Sequence, residues 1–236
     1  QDSTKQINEA GLIEYFSYGY ISPPLTIYGN VHCLEPGKYL TFQNNELKIY
    51  TYKKTIPPVW QFNTPNNTSE NELIDKLETL LIKAVLARLP ESSNIATYLS
   101  GGLDTSLMCA ILKKHSDKNI TAFTLGSNDQ NCDEVPSARK TADYLKIENH
   151  HCYYLTKYDF LETLPKLPSI YGQPMADISA IPSYSIASKT GEKYNQVFSG
   201  DGPDGLYGGV DFRPWYWYYL LTPYPIRVPF SHIVDY

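Results

Sequence analysis

The sequence predicts an α/β fold, a parallel sheet with helices on both faces. Three observations carry that prediction. Short apolar runs at 95–99, 120–125, 151–155 and 196–198 alternate with helically periodic segments at 105–113, 133–145, 158–164 and 183–189. Such alternation gives parallel strands joined by crossover helices. Two of the runs stop abruptly in glycine-rich turns, Ser100-Gly101-Gly102 and Ser199-Gly200-Asp201-Gly202. Sheets of this kind bind ligands at the carboxyl ends of their strands, where both turns fall.

Taken in order, residues 11–52 read as strands and turns. Gly19-Tyr20-Ile21-Ser22-Pro23-Pro24 and Leu34-Glu35-Pro36-Gly37 are turn clusters, and 38–42 and 47–52 form a hairpin across Asn44-Asn45. Residues 56–69, rich in proline and asparagine, read as a linker. Ser69-Glu70-Asn71-Glu72 is a capping box opening a helix. That helix puts Leu73, Ile74, Leu77, Leu80, Leu81, Ala84 and Val85 on one face and is expected to pack on the core. In the segment 133–145, Pro136 falls in the first turn, where proline is tolerated, and Val135, Ala138, Ala142 and Leu145 face inward.

Composition narrows the function. The 236 residues hold one large domain, or one domain with part of another, and 42% hydrophobic residues can form a core. A net charge of −5 argues against a nucleic-acid surface. No run approaches the ~18 apolar residues of a membrane span. No signal peptide is visible; the chain begins at Gln1, so its start is expected to be processed or trimmed. Four cysteines, Cys33, Cys109, Cys132 and Cys152, show no C-x-x-C pair and no metal spacing, which suits reduced thiols in the cytoplasm.

The turn after 95–99 has the chemistry of a phosphate site. Gly101 and Gly102 let the backbone approach a ligand closely. The first helical turn then offers free N–H groups and the positive end of the helix dipole to an anion. The hydroxyls of Ser100, Thr105 and Ser106 can donate to phosphate oxygens. Asp104 would repel phosphate unless a magnesium ion bridged the two; as a lone residue it could equally be an ordinary helix-start aspartate. No G-x-x-x-x-G-K-[ST] loop is present.

Ser100-Gly101-Gly102-Leu103-Asp104-Thr105-Ser106 resembles the pyrophosphate loop of the ATP pyrophosphatase (PP-loop) superfamily. The stretch Ser199-Gly200-Asp201-Gly202-Pro203-Asp204-Gly205-Leu206-Tyr207-Gly208-Gly209 resembles a second motif of the glutamine-hydrolysing asparagine synthetases. Between them, Gln173-Pro174-Met175-Ala176-Asp177-Ile178-Ser179-Ala180-Ile181-Pro182 resembles that family's D-E-P-x-A-D-x-S-x-x-P segment. The order and separations also fit.

The resemblance implies an adenine nucleotide alpha hydrolase-like synthetase domain over 70–236, truncated at its C-terminus. A β-rich remnant of a glutaminase domain (1–56) and a linker (57–69) would precede it. Gln1 is not the N-terminal cysteine of the glutaminase route, so that half would be cut away or made elsewhere. The resemblance further implies ATP and Mg2+ as cofactors. Leu99, Ser100, Gly101, Gly102, Asp104, Thr105, Ser106, Leu125, Ser199 and Gly200 would bind ATP, Asp104 and Asp204 would bind metal, and Asp201 would be catalytic. A carboxylate, aspartate by default, would be adenylated with release of pyrophosphate, and ammonia or an amine would then displace AMP. Partners would be the carboxylate and the nitrogen donor, with no nucleic acid and no membrane; a homodimer is left open.

Glu134 matches an acidic position of the family, and His150 and His151 match its H-H pair; structural roles explain the two histidines as well. Two positions depart from the pattern: Gly205 stands for a glutamate and Gln173 for an acid. The family's later lysine has no counterpart, and the aromatic run Trp215-Tyr216-Trp217-Tyr218-Tyr219 reads as core or interface. A β-lactam-forming or peptide-cyclising synthetase, a non-catalytic nucleotide-binding fragment, and a tRNA-thiolation pyrophosphatase are the other readings.

Overall fold

A computed structural model describes residues 6–52, 69–130 and 132–207. Residues 57–68 of the expected linker and the aromatic run at 215–219 lie outside the described residues. In chain order the elements are α1 (Glu9–Tyr18), β1 (Lys38–Gln43), β2 (Glu46–Thr51), α2 (Glu70–Leu86), β3 (Asn94–Tyr98), α3 (Leu103–His115) and β4 (Asn119–Gly126). Then follow α4 (Val135–Tyr144), β5 (Asn149–Tyr154), α5 (Lys157–Thr163), α6 (Leu167–Tyr171), α7 (Ala180–Gly191), β6 (Val197–Phe198) and α8 (Pro203–Tyr207). They divide into two units. Of the described residues, one takes those up to Ser69 together with Pro165–Ala180; the other takes Glu70–Leu164 and those from Ile181 onward.

In the first unit β1 and β2 pair antiparallel, with Leu40 opposite Ile49 and Phe42 opposite Leu47. Asn44 and Asn45 both take positive φ, 52° and 61°, as a two-residue turn matched to strand twist requires. The expectation of strands and turns from residue 11 onward is corrected at its start, because Glu9–Tyr18 is a helix. Asn8 caps it by accepting from Gly11 N–H, and Gly19 ends it in the left-handed region. No alternating pattern opposes that helix, and Gly11 lets it approach the Thr26 carbonyl: a Cβ there would lie 2.6 Å from that oxygen. Gln173, one of the two departures from the motif, has a structural role within this unit. Its side-chain oxygen accepts from Ile27 N–H at 3.2 Å.

The second unit is the α/β layer. Its sheet has the order β5-β4-β3-β6, and every pairing is parallel. Side chains alternate across it. Ile95, Leu99, Ile120 and Ala122 pack with Met108, Cys109 and Leu112 of α3 and Ala138 and Ala142 of α4 on one face. Ala96 and Phe123 pack with Ile186 of α7 on the other. Helices thus cover both faces, as the alternation predicts. Among the described residues no helix is long and apolar enough to cross a membrane.

The expectation for α2 is corrected in part. None of its residues is buried; Ile74 is 53% and Leu80 55% exposed. Only Val85, near its end, packs against the core. Its apolar stripe borders a groove shared with Leu107, Ala110 and Ile111 of α3, which no described element fills. One substitution made at two places measures the difference. Ile95→Val, at a site only 1% exposed, is expected to cost about 0.5–1.5 kcal/mol in urea unfolding. Ile74→Val should stay within about 0.5 kcal/mol of the parent.

Candidate active site

The strand order sets the place of the site. From β3 the chain builds outward through β4 to β5, then returns so that β6 lies on β3's other side. That reversal leaves a crevice between the carboxyl ends of β3 and β6, the position where open α/β sheets bind ligands. The first glycine turn leaves β3 and the second leaves β6, so the two are neighbours.

The first loop is held by its own side chains. Leu99 N–H continues the sheet ladder to the Phe123 carbonyl at 3.0 Å. Ser100 N–H donates to Thr105 Oγ1 at 3.1 Å, the Ser100 and Thr105 hydroxyls lie 2.8 Å apart, and Gly102 N–H donates to Ser100 Oγ at 3.1 Å. Gly101 has φ +79°. The N-cap of α3 is Gly102, which has no side chain to cap the turn. The first intrahelical bond runs from Ser106 N–H to the Gly102 carbonyl, so the N–H groups of Leu103, Asp104 and Thr105 are the open donors of the helix start.

The second loop meets the first directly. A Cβ on Gly200 would lie 2.7 Å from Thr105 Cγ2 and 3.2 Å from Thr105 N, so a glycine is what allows the approach. Within that loop the Ser199 hydroxyl donates to the Asp201 carboxylate, and Asp201 N–H donates back to Ser199 Oγ at 3.2 Å. Beyond the turn, Pro203 opens the short helix α8, with Asp204 in its first turn.

Together the loops border a cavity of about 670 Å³. Leu99, Ser100, Gly102, Asp104, Thr105, Leu125, Ser199, Gly200, Asp201 and Asp204 all line it. Two expected residues do not. Gly101 turns away onto α4, where a Cβ would lie 2.6 Å from Ala138 N. Ser106 places its hydroxyl 3.5 Å from that of Thr141. The lining also holds Tyr98, Phe123, Pro182, Ser183 and Ile186, none of them expected from the sequence as site residues. Pro182 ends the third motif, a signal that was present; Phe123 and Ile186 belong to no motif.

The cavity is electrically one-sided. Its lining includes the carboxylates of Asp104, Glu134, Asp201 and Asp204 and no lysine or arginine among the described residues. A polyphosphate entering there needs cations with it, and two carboxylates facing phosphate oxygens suit magnesium, which keeps several waters. Among the described residues no group of three or more His, Cys, Asp or Glu is placed to hold a metal alone.

Burial, and secondarily Asp133, raises the Glu134 carboxyl above its ordinary value. A raised folded-state value favours the fold below the unfolded value and loses that advantage as pH rises through the folded one. Glu134→Gln should therefore raise the melting temperature at pH 7 and leave it unchanged well below the carboxylate range. Burial likewise raises the Cys109 thiol, which marks it as packing rather than chemistry. All four cysteines are free.

The sequence model of the asparagine synthase family matches residues 76–224, more than half of the chain. A provisionally named second glutamine-hydrolysing asparagine synthetase of Methanocaldococcus jannaschii is 30% identical over 210 residues, covering 87% of this chain and 39% of that protein. Asparagine synthetase (glutamine-hydrolysing) 1 of Bacillus subtilis is 28% identical over 208 residues, covering 87% and 32%. Among solved structures, a glutamine-dependent NAD+ synthetase from Acinetobacter baumannii in complex with ADP is similar, with a TM-score of 0.41 and 16% identity over 72% of this chain and 31% of that one. The chain thus spans about a third of the length of the curated relatives it matches. On the family match and the loops it covers, the chain belongs to the asparagine synthase family.

Proposed function

We propose that this chain carries the nucleotide half of an ATP-dependent amide-forming ligase. The observation that carries the reading is the meeting of the two glycine loops at the sheet's reversal, with Gly200 against Thr105 over an acidic cavity. The open N–H groups of Leu103, Asp104 and Thr105 would hold phosphate oxygens, and Asp104 and Asp204 would hold Mg2+. Bound there, the ion would supply neutralisation of phosphate charge. Leu99 and Leu125, with Phe123 and Ile186, would form the apolar wall for the base.

A substrate carboxylate oxygen would attack the α-phosphorus of ATP as the bond to the bridging oxygen breaks, and pyrophosphate would leave with the electron pair. Fixed dipoles aimed at that developing charge are the main catalytic contribution of the loop. Ammonia or an amine would then attack the acyl carbon, expelling AMP. Asp201, whose carboxylate accepts from the Ser199 hydroxyl, would take the amine's surplus proton. Aspartate is the default carboxylate. A glutaminase partner, upstream or separate, would supply nitrogen, and a cytoplasmic setting fits the free thiols.

A second reading, nucleotide binding without adenylation, is favoured by Gly205. Among the described residues a Cβ there would meet nothing within 4 Å, so their packing does not exclude the acid that the motif leads one to expect. Carboxylate-dependent exchange of pyrophosphate into ATP separates the two readings.

A further inference from the structure

The peptide between Leu99 and Ser100 is the root of the first loop, and two threonines hold it. Its N–H donates to Thr105 Oγ1, and its carbonyl accepts from the hydroxyl of Thr124. Thr124 is on β4 and only 1% exposed, so bulk water does not reach it. A hydroxyl has one proton, and a carbonyl cannot donate. Thr124 therefore spends its proton on Leu99 and must accept from its other neighbour, His150 Nε2, at 2.7 Å. That fixes His150 as the tautomer with hydrogen on Nε2. His150 lies two strands from the loop, on the edge strand β5, and lines no part of the nucleotide cavity.

We infer that His150 is a positioning residue for the phosphate loop, setting the Leu99–Ser100 peptide through Thr124. The inference rests on the proposal that the loop binds nucleotide, and deepens it. The relay runs beneath α4, the helix on which Gly101 rests and whose Ser137 hydroxyl donates to the Gly101 carbonyl at 3.3 Å. The loop is thus gripped at its root by β4 and β5 and at its apex by α4. The imidazole's surroundings keep it neutral. Burial and Arg139 of α4 lower its pKa, His151 adds to this, and Asp143 of α4 opposes it. Cys152 Sγ, on the same strand face, lies 3.7 Å from Nε2 and is a weak second acceptor. With one N–H, the neutral ring leaves the relay a single arrangement. That accounts for a histidine at an edge position, which the sequence matches to the family's H-H pair and explains as well by a structural role.

The test compares the full chain with Thr124→Val, His150→Ala and His150→Gln. Losing one hydrogen bond of this kind should weaken MgATP binding about 3- to 10-fold in the first two. His150→Gln, whose amide can still donate, should recover most of the affinity. The double variant Thr124→Val/His150→Ala should be no worse than either single one, since both cut the same relay. Nitrogen-15 spectra of the parent should show the His150 ring protonated at Nε2. A ring protonated at Nδ1 overturns the inference whatever the variants do. So does a parent that binds MgATP alongside Thr124→Val and His150→Gln variants of unchanged and reduced affinity, respectively. A parent that binds no MgATP overturns the nucleotide reading itself, and with it the role given to His150.

Discussion

Gly101→Ala is expected to damage both the fold and the loop. At φ +79° an alanine suffers the left-handed penalty, about 1–2 kcal/mol. Its methyl would also lie 2.6 Å from Ala138 N, Ser137 C and Ser137 Oγ. The hydroxyl can rotate away, but the two backbone atoms belong to α4 and cannot. Relief requires moving the helix or the loop, and overpacking of this kind costs about 1–3 kcal/mol more. The sum is a large share of a typical domain's stability. Chemical denaturation should show it directly, together with loss of MgATP binding even where the variant stays folded. A variant that melts with the parent would mean that the loop does not rest on α4. Gly102→Ala is the control for stability, because among the described residues a Cβ there meets only the Ser100 hydroxyl, at 3.2 Å.

Asp104→Asn should reverse its effect with the metal. In the first turn of α3 the carboxylate interacts favourably with the helix dipole, and losing it should cost about 0.3–1 kcal/mol of stability under either account of the residue. The accounts separate in binding. If Asp104 holds Mg2+ against phosphate, Asp104→Asn should weaken MgATP about 100-fold or more, since even residues one layer behind a metal cost 10–100-fold. With chelator present the same change removes a negative charge facing phosphate, so metal-free ATP should bind more tightly than it does to the parent. Titration calorimetry with and without Mg2+ reads both signs. Equal affinity in both conditions would leave Asp104 as a helix-start aspartate only.

Much of the site was legible because its chemistry is local in sequence. A strand, two glycines and a helix start fall within 95–113, and their geometry follows from backbone rules that need no distant partner. The hairpin was legible for the same reason, through Asn44-Asn45. The reversal of strand order was not, since β6 reaches β3 across nearly the whole unit. Nor was the apolar wall, where Phe123 and Ile186 are core residues that also face the cavity. Ser106 shows the limit of reading a motif as a set of equal donors. One residue beyond Thr105 on the helix, its hydroxyl turns toward Thr141. α1 was missed because its apolar residues follow no clear stripe, and its Asn8 cap is a one-residue signal beside strong turn clusters.

The proposed reaction joins a carboxylate to the α-phosphate of ATP in this cavity. The most direct measurement is exchange of labelled pyrophosphate into ATP with Mg2+, over a panel of carboxylates that includes aspartate, using the full chain with Asp104→Asn alongside. Exchange that requires one carboxylate and disappears in the variant is the predicted result, and it names the substrate. MgATP binding without exchange from any carboxylate would contradict adenylation by this chain and leave it a nucleotide-binding unit.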